Sequence, residues 1–251
     1  MKIVRLLSYL LLTTNNVCES FKGVHTPYWF NPKIHNFGNI GIGGKIHANS
    51  ANFFTKMIDI LAYNNTDIRK KFVVESIPLS YKVCDIGCGI GLSTHSGPNS
   101  VGVDTSVEMI NVAKKTFPDK KFEIGNAENF GNRHEYDIVT ISFLFHEAPQ
   151  EARIKIINNA LKISKIGVII IDISPQYNPS PQMLTGEPYI LEYCKNINND
   201  INKVNYEVYN DELSPGRANI WVINKLKNSF LLNYKHDFQK NKKNVIYTNN
   251  A

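Results

Sequence analysis

The run Val83-Cys84-Asp85-Ile86-Gly87-Cys88-Gly89-Ile90-Gly91 carries the most chemical spacing in this chain. An acid, Asp85, is followed by glycines at Gly87, Gly89 and Gly91. Glycine lets a backbone turn tightly and lets a ligand lie against it. A dinucleotide fingerprint needs G-x-G-x-x-G. Counted from Gly87 its last position is Leu92, and counted from Gly89 it is Thr94, so that fingerprint fails. No phosphate-loop lysine follows either. What remains suits a ligand with a positive centre and an amino acid end. A second acid, Asp104, closes the apolar run Val101-Gly102-Val103. His146-Glu147 follows a third apolar run, and a histidine there titrates near neutrality. His146 could take a proton, or could pack over a ligand or cap the next loop. Glu147 could pair with it or serve as a first-turn acid.

Other candidates are weaker. Cys84 and Cys88 read as small strand and turn residues. Cys18 and Cys194 complete the cysteines, none lies in a C-x-x-C pair, and a zinc ribbon or disulfide scaffold is excluded. His25, His35 and His47 match no compact metal spacing, so no metal is expected. Gly38 to Gly44 reads as a turn before a helix. Tyr28, Trp29 and Phe30 would pack an N-terminal arm onto the rest or wall a substrate pocket as a lid.

The elements that must hold these residues alternate. Residues 46–64 place Ile46, Phe53, Phe54, Met57, Ile58, Ile60 and Leu61 at helical spacing, and a short helix is expected from Asp67 to Ser76. Strands are expected at Val83–Ile86, Val101–Asp104, Phe122–Ile124, Tyr136–Phe143 and Ile166–Ile173, with closing strands at Val204–Tyr209 and Ile220–Asn224. Thr105 with Glu108 three residues on reads as a capping box opening a helix over Met109, Ile110, Ala113 and Phe117. A helix with Ile154, Ile157 and Leu161 on one face spans Gln150 to Ser164, and another opens at Glu187-Pro188 and runs through Cys194. Strands alternating with helices imply an α/β, doubly wound, mostly parallel sheet.

Residues 83–91 resemble motif I of the class I S-adenosylmethionine-dependent methyltransferases, and the resemblance continues through Leu226. It implies a seven-stranded Rossmann-like sheet with an N-terminal helical arm. It implies that S-adenosylmethionine is the cofactor, bound by Asp85, Gly87, Gly89, Gly91, Asp104, Thr105, Asn126, Ala127, Glu128 and Phe143. Asp104 would hold the ribose hydroxyls and Gly125-Asn126-Ala127-Glu128 the adenine. His146-Glu147 resembles the H-E step of small-molecule members, which makes His146 the candidate catalytic base. There are departures. About ten residues separate Gly91 from Gly102, so the first crossover helix must be little more than a turn. Asn126 stands where the family often has Asp, and weaker binding is expected.

No N-P-P-[YFW] follows the fourth strand, where Ser142-Phe143-Leu144-Phe145 stands, and no Pro-Cys nucleophile occurs. With no second domain to grip a polymer, a small-molecule or lipid-like acceptor is expected and nucleic acid is not. The alternative is a non-catalytic S-adenosylmethionine-binding regulator or assembly factor. The chain has 251 residues and a net charge of +6. That charge sits at the ends: Lys225, Lys227, Lys235, Lys240, Lys242 and Lys243 oppose only Asp237, and Lys2 and Arg5 oppose Glu19. The remainder is formally neutral, so the basic pI says nothing of the substrate. The reading divides the chain into 1–20, 21–78 (arm), 79–226 (cofactor domain) and 227–251 (basic tail). Residues 1–20 have the layout of a signal peptide, with Leu6 to Leu12 too short to span a bilayer. Secretory or plastid entry is expected from it, the alternative being a buried element of a cytoplasmic chain.

Overall fold

The structure, a computed structural model, describes residues 27–226 and Leu231. The signal-like segment and the basic tail beyond Leu231 lie outside the described residues. Seven strands form one sheet: β1 (Val83–Ile86), β2 (Val101–Asp104), β3 (Lys121–Ile124), β4 (Tyr136–Ser142), β5 (Ser164–Ile173), β6 (Glu207–Ser214) and β7 (Ala218–Asn224). Their order is β3-β2-β1-β4-β5-β7-β6. All pairs from β3 to β5 are parallel, and β7 runs antiparallel to both β5 and β6. The helices are α1 (Gly41–Ala62), α2 (Val107–Thr116), α3 (Gln150–Ile163), α4 (Pro181–Gly186) and α5 (Ile190–Asn202).

Alternation along the strands explains their apolar runs. Val168 and Ile170 of β5 join Val139, Ile141, Trp221 and Ile223 on one face. Ile169 and Ile171 join Ile138, Ile220 and Val222 on the other. Both faces are covered, so the strand must be apolar throughout. The first face receives Ile156, Ile157, Ala160 and Ile163 of α3 and Ile190, Tyr193, Ile197 and Ile201 of α5. The second receives Tyr63, Ile68, Val73 and Ile77 from the chain after α1. Arg153 of α3, fully buried, holds Asp200 of α5 at 3.1 Å. Its Nη1 also donates to the Ala148 carbonyl at 2.7 Å.

Several local expectations are corrected. Between β1 and β2 there is no helix at all. Ala48 of α1 packs there instead, against Ile90 and Met109, with Ala51, Leu92 and Val112 at the margin. The cap of α2 is Ser106, not Thr105: its hydroxyl accepts from the Met109 N–H at 3.2 Å and donates to the Asn39 carbonyl at 2.7 Å. Glu108 accepts from the Gly41 N–H at 2.9 Å, tying α1 to α2. The inner face of α3 centres on Ile156, Ile157 and Ala160, leaving Ile154 and Leu161 half-buried at its edge. β6 begins at Glu207, later than expected, and α5 runs on to Asn202. The apolar stripe of α1 is not buried: Phe53 is 63% exposed and Leu61 70%. Among the described residues no helix is long and apolar enough to cross a membrane.

Candidate active site

In an open α/β sheet the crevice lies at the carboxyl ends of the strands, where the strand order reverses. Here β1 stands between β2 and β4, and a cavity of about 710 Å3 opens above them. On the β2 side its walls are Gly87, Cys88, Gly89, Ile90, Asp104 and Met109. On the β4 and β5 side they are Ser142, Phe143, His146, Ile173 and Tyr177. Helix α1 roofs it with Ser50, Phe54, Met57, Ile58 and Leu61.

The glycine loop is built by positive backbone angles, φ 74° at Gly87 and 52° at Gly89. A Cβ on Gly87 would meet Leu144 at 2.7 Å, whereas one on Gly89 would meet nothing within 4 Å. Gly89 therefore offers bare backbone to the cavity. Gly91 does something else. Its φ is 85° and a Cβ there would strike the Phe122 ring at 2.7 Å. It closes the loop onto the core and does not line the cavity.

Asp85 does not line the cavity either. It is fully buried below the loop, accepting from Ser93 at 2.9 Å, Thr94 at 2.8 Å and Thr140 at 3.2 Å. Burial raises its carboxyl, and those three hydroxyls work against the rise. Its action is to pull the return leg of the loop down onto β1 and β4. Asp104 does reach the cavity. Its two oxygens accept from the Gly89 N–H at 2.8 Å and the Ser106 N–H at 2.9 Å. Burial pushes the carboxyl up to about 6, opposed by those two N–H groups. A half-buried carboxylate with no cation on it among the described residues and lone pairs to spare fits a ligand that offers hydroxyl donors.

Thr105, Asn126, Ala127 and Glu128 do not line this cavity. Asn126 caps its own turn, its side chain accepting from the Glu128 N–H at 2.9 Å, and the Ala127 carbonyl accepts from Asn159 at 2.9 Å. The Tyr28 hydroxyl of the arm meets the Glu128 carboxylate. The arm's aromatic thus lies over the segment expected at the adenine.

At the other end Phe143, held at φ 57°, packs with Tyr63 and His146 at ring separations of 6.2 and 6.5 Å. His146 is buried, with Nδ1 2.6 Å from Asp172. Asp172 also accepts from the Phe145 N–H at 2.7 Å. Burial alone would lower the imidazole; the Asp172 carboxylate overrides it and raises His146 to about 9. Glu147 pairs mainly with His35: His35 lies 2.8 Å from Glu147 and 2.7 Å from Glu187. The His47 ring lies 4.3 Å from His35, tilted by 58°, and through burial and the charge of its neighbour is pushed down to about 4. His35 and Asn36 both hold left-handed angles, φ 52° and 62°, which cost free energy and persist because the surroundings fix them.

Sequence reasoning missed Asp172, His35, Glu187, Tyr63 and Arg69 as site residues. Asp172 carried a signal, an acid ending an otherwise apolar strand. His35 carried none, because its partner lies 112 residues away.

Residues 83–167 match the family model described as a methyltransferase domain. Among solved structures the chain is similar to phosphoethanolamine N-methyltransferase 2 of Haemonchus contortus in complex with S-adenosyl-L-methionine. That match has 14% identity and a TM-score of 0.59 over 82% of this chain and 61% of the other, so this chain spans less than two thirds of that protein. It is also similar to a chain of the complex between the Haloferax volcanii Trm112 methyltransferase activator and the putative methyltransferase. There the identity is 15% and the TM-score 0.50, over 72% of this chain and 96% of the other. At such identities these likenesses establish the fold.

Proposed function

We propose that this chain, which carries a class I S-adenosylmethionine-dependent methyltransferase domain, methylates a small-molecule or lipid-like acceptor seated between Phe143, His146 and helix α1. The observation behind the acceptor class is that one cavity joins the Gly89–Asp104 end to the His146 end under an apolar roof. It is enclosed by one domain and its arm, which suits a small molecule better than a polymer. The similar Haemonchus contortus protein acts, by its name, on phosphoethanolamine, which is also small.

The residues present fit the cofactor. The open backbone at Gly89 would lie along it, and the Asp104 carboxylate would accept from its hydroxyls. When bound, S-adenosylmethionine supplies an activated methyl group, so positioning contributes much of the rate. The chain's own task is to hold the acceptor in line and to receive its proton. We assign that proton to Nε2 of His146, the edge opposite Asp172, with Asp172 as the positioning residue that fixes the ring. Helix α1, which roofs the cavity, would exclude water from it.

The test is incubation of the full chain with methyl-labelled S-adenosylmethionine and a fractionated metabolite extract. Label in a small organic product is expected. Binding of S-adenosylhomocysteine should raise stability by about 2.7 kcal/mol at one hundred times its Kd. Binding without label in any small-molecule or lipid fraction would overturn the acceptor class.

A further inference from the structure

The cavity is lined by two cationic side chains that the methyl-transfer reading leaves unused. Arg69 and Arg217 both line it. The Arg69 guanidinium lies 4.0 Å over the Phe143 ring, and its side chain is 12% exposed. Its nearest carboxylate, Asp59, is 3.6 Å away, too far for a hydrogen bond, and both the Arg69 Nη1 and the Asp59 Oδ1 lack a partner. An unpaired buried donor of this kind is costly until something accepts from it. Burial also pushes the Asp59 carboxyl up to about 6. Arg217 has an exposed side chain, and among the described residues no carboxylate pairs with it. The hydroxyl-bearing rings of Tyr63 and Tyr177 line the same cavity.

The roof is apolar. Phe54, Met57, Ile58 and Leu61 of α1 face the cavity yet stay between 38% and 70% exposed. A stripe of that kind beside a binding cavity marks a surface that something apolar covers.

Building on the methyl-transfer reading, we propose that Arg69, assisted by Arg217, binds an anionic head group of the acceptor, whose hydrocarbon chain lies along Phe54, Met57, Ile58 and Leu61. The acceptor is then an acidic amphiphile. A guanidinium takes a carboxylate or a phosphate in the same two-pronged way, so both sources of negative charge are tested.

The experiment is calorimetric titration of the full chain, preloaded with S-adenosylhomocysteine, using decanoate, decyl phosphate and the uncharged decanol. At least one of the two anions should bind roughly ten- to a hundredfold more tightly than decanol, the range for a charge-assisted contact. Which anion binds better identifies the head group. Arg69→Gln should remove the preference while leaving S-adenosylhomocysteine affinity in place, and Arg69→Lys should keep part of it. Arg217→Gln, at an exposed site with little risk to folding, should reduce it. Equal affinity for decanol, or an anion preference that survives both glutamine variants, would overturn the inference alone. Failure of S-adenosylhomocysteine itself to bind would overturn the methyl-transfer reading beneath it.

Discussion

Asp104 and His146 are opposites. One is a carboxylate without a cation, the other an imidazole held against an acid. Asp104 needs hydroxyl donors in its ionised form, and its carboxyl is raised to about 6 by burial. Cofactor affinity is therefore expected to fall as pH drops below about 6. In Asp104→Asn that pH dependence should vanish and affinity should drop roughly ten- to a hundredfold at every pH. Titration with S-adenosylhomocysteine across pH reads both. His146 works against burial through Asp172, with Glu187 and Glu147 adding to the rise. With its value raised to about 9, the ring becomes able to take a proton only as pH climbs through 9. The rate at saturating cofactor should rise with pH up to that point. Asp172→Asn should move the rising limb to lower pH while reducing the plateau. A rate indifferent to pH in the unmodified chain would remove the proton-accepting role from His146.

The arm is the element that completes the site, and its docking rests on two devices. His35 bridges Glu147 and Glu187 beside the His47 ring. Burial opposes the imidazolium, but the two carboxylates win and raise His35 well above 6.5. A raised histidine contributes stability that is complete below its ordinary value and fades as pH rises through the raised one. Proteolysis within residues 27–40 should accelerate in alkaline solution, and His35→Gln should make cutting fast and independent of pH. The second device is close approach. A Cβ on Gly43 would sit 1.9 Å from the Phe37 carbonyl oxygen, a clash with backbone that cannot turn aside. Gly43→Ala should lift the Phe37–Asn39 turn away, at about 1–3 kcal/mol for overpacking. The expected readout is weaker cofactor binding with the sheet's melting transition little changed. None of this was visible in the sequence, where the same residues read as a flexible turn and scattered histidines. Docking partners distant along the chain leave no local pattern. The sheet did leave one, because period-two burial on two faces forces continuous apolar runs such as Ile166 to Ile173.

At the scale of the whole molecule, the Arg153–Asp200 pair joins the two helices that cover one face of the sheet. Arg153→Met should cost about 3–5 kcal/mol, because Asp200 would be left buried without its cation, with only the Gln150 amide donating to it. The combined change with Asp200→Leu should recover much of that loss, read as the denaturant midpoint. The mostly parallel sheet and the glycine loop were legible together, since four motifs fell in sequence at the right distances. Asp85 and Gly91 were legible as loop residues but not in their roles, which depend on Ser93, Thr94 and Phe122 closing from below. The missing helix between β1 and β2 was half legible: the short spacing showed it, but not that α1 would stand in its place. That substitution changes what a binding constant means here. The loop's neighbour arrives on a segment remote in the chain and held by the His35 bridge, so loss of that bridge is expected to leave a mixture of covered and uncovered forms. A ligand that needs the covered form reports its intrinsic dissociation constant divided by the fraction covered. Alkaline solution, or any variant that loosens the arm, would then register as a weaker ligand although no atom touching the ligand had changed.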